Sequence, residues 1–229
     1  MGFIKTIIIA TPHGRNDNVE KMVSEMLPGF NVLRFKGPEN LVSELLEKIN
    51  PDWIFFPHWS WIIPKSIYEK YTCVIFHMTD VPYGRGGSPL QNLIIKGHKS
   101  TLLSALRCDK NLDAGPVYLK KFLSLEGTAE DILQRASNLM PEMIKEIVLN
   151  STPPVPQIGP ITKFTRRSPE DGNLSALNTP ESIFDYIRML DGEGYPPAFV
   201  ESGNLIIEFK KAVIADGIVK ASAVIKVKS

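Results

Sequence analysis

The sequence has few of the features that mark metal-binding, secreted or membrane proteins. Its 229 residues include 2 cysteines, Cys73 and Cys108, which form no CxxC pair, and its 4 histidines are scattered, so no metal-ligand spacing is found. The longest apolar run near the start, Ile7–Ala10, is too short for a signal segment or a membrane span. We therefore expect no metal, no membrane partner and a reducing, cytoplasmic location.

The sequence also lacks an excess of charge of either sign. The 26 Lys and Arg residues nearly balance the 25 Asp and Glu residues, and the formal net charge is +1. Such a chain has no general electrostatic attraction to nucleic acid or to an anionic membrane. The sequence contains no internal repeat and no low-complexity segment.

Apolar β-branched runs alternate with amphipathic segments along the first 150 residues, which is typical of βαβ units. Strands are predicted at residues 5–11, 30–35, 52–56, 73–76, 101–106 and 117–125, and helices at 16–27, 41–49, 88–96 and from Thr128 onward. The pattern predicts an α/β fold with a Rossmann-like, mainly parallel sheet and helices on both faces.

A proline-rich segment divides the chain. Residues 151–162 contain four prolines, which exclude a helix or a central strand, so we predict an extended linker there. Before it lies a predicted catalytic domain at residues 1–150, and after it a small α+β extension at 163–229. The extension is predicted to hold a helix at 179–190 and strands at 198–201, 204–209, 212–215 and 218–227.

Two segments carry the polar groups that favour catalysis. His77 ends the fourth strand, where open α/β sheets bind ligands, and a run with three glycines and Arg85 follows it. Asp113 precedes an Ala-Gly-Pro turn. His77 as a core histidine and Asp113 as a turn residue are the alternatives. Because an imidazole and a carboxylate together perform proton transfer, we expect the two side chains to meet.

Two further loops follow predicted strands. The aromatic loop at residues 58–62 (His58, Trp59, Ser60, Trp61 and Ile62) suits a flat ring, with core packing as the alternative. His13 and Arg15 follow the first strand and face the same predicted crevice.

With these residues in view, residues 50–200 resemble the folate-dependent formyltransferase family. The family motif Asn-x-His-x-Ser-x-x-Pro-x-x-Arg-Gly-x-x-Pro is matched by His77, Thr79, Pro82, Arg85, Gly86 and Pro89. A second motif, Leu-Asp-x-Gly, is matched by Leu112, Asp113 and Gly115. Ile75 stands at the position of the family's catalytic asparagine and cannot donate a hydrogen bond to an oxyanion. Thr79, Gln91 and Asn92 are the alternative donors.

The resemblance implies an enzyme that transfers a formyl group from 10-formyltetrahydrofolate. It implies catalytic roles for His77, Asp113 and Thr79. It implies cofactor binding by His58, Trp59, Ser60, Trp61, Ile62, Arg85, Asp109, Leu112 and Asp113, and acceptor binding by His13, Arg15, Tyr83, Arg85, Gly86 and Tyr195.

The acceptor is predicted from the extension and the charge. A short helix and hairpin after the linker resemble the formyltransferases that act on nucleotide-linked 4-amino-4,6-dideoxy sugars, and a UDP-linked sugar is favoured. The near-zero net charge argues against a nucleic-acid partner, so methionyl-tRNA formyltransferase is the alternative. A formyltetrahydrofolate hydrolase and a non-catalytic folate-binding module are further alternatives. Apolar strands near the C-terminus suggest a homodimer.

Overall fold

The computed structural model describes residues 4–150 and 152–228. The strands are β1 (Lys5–Ala10), β2 (Phe30–Phe35), β3 (Trp53–Phe56), β4 (Cys73–His77), β5 (Arg85–Gly86), β6 (Ser100–Arg107), β7 (Val117–Ser124), β8 (Lys163–Phe164), β9 (Ala198–Ser202), β10 (Leu205–Ala215) and β11 (Ile218–Val227). The α-helices are α1 (Asp17–Met26), α2 (Ser43–Ile49), α3 (Lys65–Tyr68), α4 (Pro89–Ile95), α5 (Ala129–Asn150) and α6 (Pro180–Leu190). Short 3-10 helices occur at Gly14–Asn16, Pro38–Asn40 and Pro169–Gly172.

In the described part of the chain, six strands form one sheet in the order β2-β1-β3-β4-β6-β7. The first four of these pair in parallel, and β6 is antiparallel to β4, with His77 opposite Ser104. Together with the helices between the strands, this sheet confirms the predicted α/β, Rossmann-like class with a mainly parallel sheet. The antiparallel sheet of β9, β10 and β11 confirms the predicted C-terminal hairpin extension.

The β-branched composition of β1 explains its central place in the sheet. Ile7, Ile8 and Ile9 are completely buried, as expected for a strand with protein on both faces. Ile8 packs in one cluster with Phe56 of β3 and Leu46 of α2. Each fully buried side chain of this kind contributes about 1.5–3 kcal/mol to folding.

The chain divides into two compact units. The first comprises the chain up to Arg85, Leu102–Leu123 and Gln134–Lys163, and the second comprises Gly86–Thr101, Ser124–Leu133 and the chain from Phe164 onward. The predicted division into catalytic domain, linker and extension stays a prediction, and its bounds at residues 1, 151 and 229 lie outside the described residues.

Two local predictions in the second unit need correction. The two strands expected at 204–209 and 212–215 form the single strand β10, because Lys211 adopts a φ of +55° and the register shifts between Lys210 and Val213 as a bulge. As the first residue of the helix predicted at 88–96, Ser88 is the residue expected to cap that helix with its side chain. Instead it has a φ of +49°, and its hydroxyl accepts the backbone N–H of Arg167.

The described helices have one apolar side and one polar side. In α5, for example, Ala136, Met140 and Met143 are fully buried while Asn138 and Glu142 are exposed. No helix within residues 4–150 and 152–228 is both long and apolar enough to cross a membrane.

Candidate active site

His77 ends β4 and is buried, with 7% of its surface exposed. Its Nε2 lies 2.8 Å from the carbonyl oxygen of Gly84, and its Nδ1 lies 3.5 Å from Oδ1 of Asp113, which is also buried. The structure therefore brings together the two groups that the sequence predicts to meet, and their catalytic roles stay predictions.

Asp113 reaches His77 by a route that was not predicted. Because β6 is antiparallel to β4, it ends beside the start of β4, where Cys108 donates its backbone N–H to Cys73. The loop that follows must run back along the sheet, since Asp113 meets His77 at the opposite end of β4. The neighbouring strand ends alone would have kept the two side chains apart.

The backbone of this loop is tightly constrained. Asp113 itself adopts a left-handed conformation, with a φ of +51°. A Cβ atom on Gly115 would stand 1.8 Å from the carbonyl oxygen of Arg107, so only glycine fits at position 115. These two features fix the direction from which the carboxylate approaches His77.

The hydrogen-bond roles at His77 determine how many protons the pair holds. A carbonyl oxygen only accepts, so Nε2 carries a proton and donates it to Gly84. In a neutral ring Nδ1 is then unprotonated and faces Asp113 with a lone pair. A hydrogen bond between Nδ1 and Oδ1 requires one further proton, which makes the pair a site for one transferable proton.

The family's asparagine position is occupied by an apolar side chain in an apolar setting. Ile75 packs against the buried residues Val81, Leu106 and Val117 and offers no hydrogen-bond donor. Thr79 is fully buried and its hydroxyl lies 3.3 Å from the carbonyl oxygen of Gly84, to which it donates.

The other two expected donors are engaged within the second unit. The amide of Gln91 donates to the carbonyl of Met189. The amide of Asn92 donates to the carbonyls of Gly87, Ser88 and Thr165. As they stand, these two side chains are not free donors for an oxyanion.

The aromatic loop after β3 combines exposed apolar surface with an unused donor. Trp61 and Ile62 are 43% and 85% exposed, and Ser60 is also exposed. Trp59 packs between the rings of Phe56 and Trp61, at 5.4 and 4.8 Å between centroids. Its indole Nε1 is buried and has no hydrogen-bond partner within residues 4–150 and 152–228. The exposed apolar surface of Trp61 and Ile62 fits one face of a flat heteroaromatic ring.

A network of hydrogen bonds connects the loop after β1 with the loop after β3. The fully buried Asn16 lies 2.6 Å from the hydroxyl of Thr11 and 3.4 Å from Nδ1 of His58, and its oxygen accepts from Ser137. The rings of His13 and His58 meet edge to face at 6.4 Å between centroids. The structure therefore brings together two histidines from separate predicted loops.

Sequence reasoning missed Asn16 and also Arg34, which lies in β2. The guanidinium of Arg34 donates to the backbone carbonyls of Thr11, His13 and Asn16 and holds the segment that carries Arg15. Neither residue belongs to a recognisable motif, because each acts through backbone or buried contacts that only the folded chain creates.

The remaining predicted cofactor residues lie in the same unit as His77. Asp109 accepts the backbone N–H of Asn111 at 2.7 Å in a local turn, and Leu112 is 65% exposed. Arg85 directs Nε and Nη2 to Oε1 of Gln157, at 3.0 and 2.8 Å. One of the two guanidinium edges that can bind an anion in a bidentate manner, the Nε/Nη2 edge, is therefore occupied by this chain's own side chain.

Three predicted acceptor residues are placed as follows. Tyr83, in the first unit, is half-buried and its backbone N–H donates to the carbonyl of Asp80. Gly86 and Tyr195 belong to the second unit. Gly86 has a φ of +107°, and Tyr195 is half-buried. Their roles in binding stay predictions.

Cys73 begins β4, and Cys108, the residue after the end of β6, donates its backbone N–H to the carbonyl of Cys73. Burial raises the pKa of the Cys73 thiol. Burial, followed by the nearby carboxylates of Asp109 and Asp113, raises the pKa of the Cys108 thiol to about 11. Both thiols are thus protonated at neutral pH. Within residues 4–150 and 152–228, no group of three or more His, Cys, Asp or Glu side chains is placed to hold a metal ion.

Comparison with known proteins gives this geometry its context. A solved structure described as methionyl-tRNA formyltransferase from Clostridium thermocellum is 44% identical in sequence, with a TM-score of 0.94, and the match covers 97% of this chain and 99% of that one. The chain belongs to the formyltransferase family. This membership confirms the predicted folate-dependent formyltransferase and 10-formyltetrahydrofolate as the formyl donor.

Other relatives carry the same description. The family model of the methionyl-tRNA formyltransferase C-terminal domain matches residues 169–226. Methionyl-tRNA formyltransferase from Thermodesulfovibrio yellowstonii is 28% identical over 200 residues, which cover 80% of this chain and 65% of that protein. The Rickettsia africae protein of the same name is 28% identical over 222 residues, covering 91% and 73%.

These relatives overturn the predicted acceptor. The prediction of a nucleotide-linked amino sugar is wrong, and so is the prediction that a nucleic-acid partner is unlikely, because the relatives with substantial identity are methionyl-tRNA formyltransferases. A 4-N formyltransferase from Francisella tularensis matches at only 14% identity with a TM-score of 0.68, which shows the shared fold alone. Net charge misled the prediction because phosphate contacts are local, whereas net charge averages over the whole chain.

Proposed function

We propose that this chain transfers the formyl group of 10-formyltetrahydrofolate to the amino group of methionyl-tRNA. The observation that carries the proposal is the buried pair of His77 and Asp113, 3.5 Å apart, in a chain that is 44% identical to a methionyl-tRNA formyltransferase over almost its whole length. The pair would perform the proton transfer, and the names of the relatives support methionyl-tRNA as the acceptor.

The donor fits the aromatic loop after β3. When bound, 10-formyltetrahydrofolate supplies an electrophilic formyl carbon that an amine attacks. The exposed Trp61 and Ile62 would cover the flat ring. This arrangement would orient the donor and exclude water from one of its faces.

His77 and Asp113 would take up the proton that the attacking amine loses and return a proton to N10 of the folate, so that the bond between N10 and the formyl carbon breaks and tetrahydrofolate leaves. Because Nε2 already donates to Gly84, the proton acceptor of the pair is either Nδ1 or Oδ1. The 3.5 Å separation exceeds a normal hydrogen bond of about 2.7–3.2 Å and is too short for a water to lie between the two atoms, so the proton would pass directly to Nδ1 or Oδ1.

Ile75 is expected to lower the rate of formyl transfer. A family member with asparagine at this position has a donor for the developing oxyanion, and loss of one such donor costs about a hundred- to a thousandfold in rate. The proposal therefore predicts slower transfer than in relatives that carry the asparagine, because the hydroxyl of Thr79 already donates to the carbonyl of Gly84.

The test incubates the protein with 10-formyltetrahydrofolate and methionyl-tRNA and measures N-formylmethionine released from the tRNA by alkaline hydrolysis. The proposal expects formylmethionine that depends on both substrates and is absent with free methionine. Binding of the folate without any formylmethionine would overturn the proposed transfer and leave a folate-binding module.

A further inference from the structure

The proline-rich segment was predicted as a simple linker, yet it contributes a side chain to the active-site region. Residues 152–162 form no helix, and Val155 pairs with Val117 at the start of β7 through two backbone hydrogen bonds of 2.7 and 2.9 Å. Thr162 donates its backbone N–H to Pro82 and accepts from Arg85. The segment is therefore fixed at both of its ends to the unit that contains His77.

Gln157 lies between these two attachments and uses every polar atom of its amide. Its Oε1 accepts Nε and Nη2 of Arg85 at 3.0 and 2.8 Å. Its Nε2 donates to the carbonyl oxygens of Asp113 and Gly115 at 2.9 and 2.8 Å. One half-buried side chain thus joins the loop after β4 to the loop after β6.

Each of these two loops contacts one ring nitrogen of His77. The loop after β4 supplies the carbonyl of Gly84 to Nε2, one residue before Arg85. The loop after β6 supplies the carboxylate of Asp113 to Nδ1. Because Gln157 binds Arg85 in one loop and the carbonyl of Asp113 in the other, it sets the distance between the two partners of the imidazole.

We propose that Gln157 is a positioning residue that holds Asp113 and the Gly84–Arg85 loop in register around His77. The inference rests on the proposed function, in which His77 and Asp113 manage the proton. A misplacement of about 1 Å at a reacting group costs about a hundredfold in rate, so loss of these four hydrogen bonds falls mainly on kcat.

The first test compares Gln157→Leu with Gln157→Glu. Leucine removes all four hydrogen bonds, whereas glutamate keeps the acceptor for Arg85 but loses both donors to Asp113 and Gly115. We expect a fall in kcat of about 10- to 100-fold for both variants, with less than about a threefold change in the KM for 10-formyltetrahydrofolate. Gln134→Leu is the matched control, because the Gln134 amide donates to Asn138 on the exposed side of α5, and we expect this variant to keep wild-type kcat.

The second test is a double-mutant cycle with Asp113→Asn. If Gln157 acts through Asp113, Gln157→Leu has no further effect on kcat in the Asp113→Asn background. Independent, additive losses in kcat would overturn the proposal, as would wild-type kcat in either Gln157 variant.

A third readout does not depend on turnover. At fixed pH, the imidazole resonances of His77 in NMR spectra are expected to shift in Gln157→Leu and Gln157→Glu but not in Gln134→Leu. Unshifted His77 resonances would overturn the positioning role even if the protein formylates methionyl-tRNA. Shifted resonances in a protein without formylation would support it while the proposed function fails.

Discussion

At the scale of single residues, hydrogen-bond roles decide what His77 can do. Its Nε2 is committed to Gly84, so the pair with Asp113 is left with one exchangeable proton position between Nδ1 and Oδ1. The sequence motif identifies both side chains but does not identify Gly84 as the partner of Nε2, because every residue has a backbone carbonyl. Arg85 shows the same limit, since its motif position does not reveal that one edge of its guanidinium bonds Gln157.

The thiol of Cys108 provides a prediction on pH. Burial raises its pKa from 9.0 to about 11, so the folded protein holds this proton where the unfolded chain releases it. Stability from this group is complete below pH 9 and is lost as the pH rises from about 9 to about 11. We expect the urea-unfolding free energy of the wild type to fall more steeply in this window than that of Cys108→Ala. Equal slopes for the two proteins would show that the thiol is not shielded.

At the scale of elements, the strands of the sheet were predictable and the path of the loop after β6 was not. The β-branched run of β1 and the alternation with helices determine the layers, because burial on both faces demands apolar strands. The direction of β6 depends on pairing with β4, which no local pattern encodes. The proline-rich composition correctly excluded a helix at residues 152–162, but it could not show that Gln157 bonds two loops.

The loop that carries Asp113 provides a test of close backbone approach. In Gly115→Ala the new Cβ meets the carbonyl oxygen of Arg107 at 1.8 Å, so the loop must shift and carry Asp113 with it. We expect kcat to fall by about 10- to 100-fold and the unfolding free energy by about 1–3 kcal/mol. Gly29→Ala, which meets no atom within 4 Å, is the control and should match the wild type. A fully active Gly115→Ala would contradict the assigned loop geometry.

The buried network at Asn16 provides a test of how loops are joined to helices. Replacement of Asn16 by alanine leaves the hydroxyls of Thr11 and Ser137 without this shared partner inside the protein. The expected loss is about 2–3 kcal/mol of unfolding free energy, measured by urea denaturation. Asn138→Ala removes an exposed amide from α5 and should cost less than about 0.5 kcal/mol. A similar small loss for Asn16→Ala would mean that the network does not stabilise the fold.

At the scale of the whole molecule, the sequence pattern predicted the fold class correctly but predicted the wrong acceptor. The alternation of strands and helices specifies an α/β protein, and the two motifs around His77 and Asp113 specify the reaction type. The acceptor depends on surface groups spread over the chain, and a net charge of +1 conceals where those groups lie. The relatives corrected that prediction where the residues of the active-site region could not.

The most direct test of the account is the single-turnover rate of formyl transfer to methionyl-tRNA in wild type, Asp113→Asn and Asp80→Asn. Asp80 is an exposed carboxylate paired with Lys120, so it serves as the charge-matched control. We expect formylation by the wild type and by Asp80→Asn, and a fall in the transfer rate of about 100- to 10,000-fold in Asp113→Asn with an unchanged fold by circular dichroism. Wild-type transfer rates in a folded Asp113→Asn protein would contradict it.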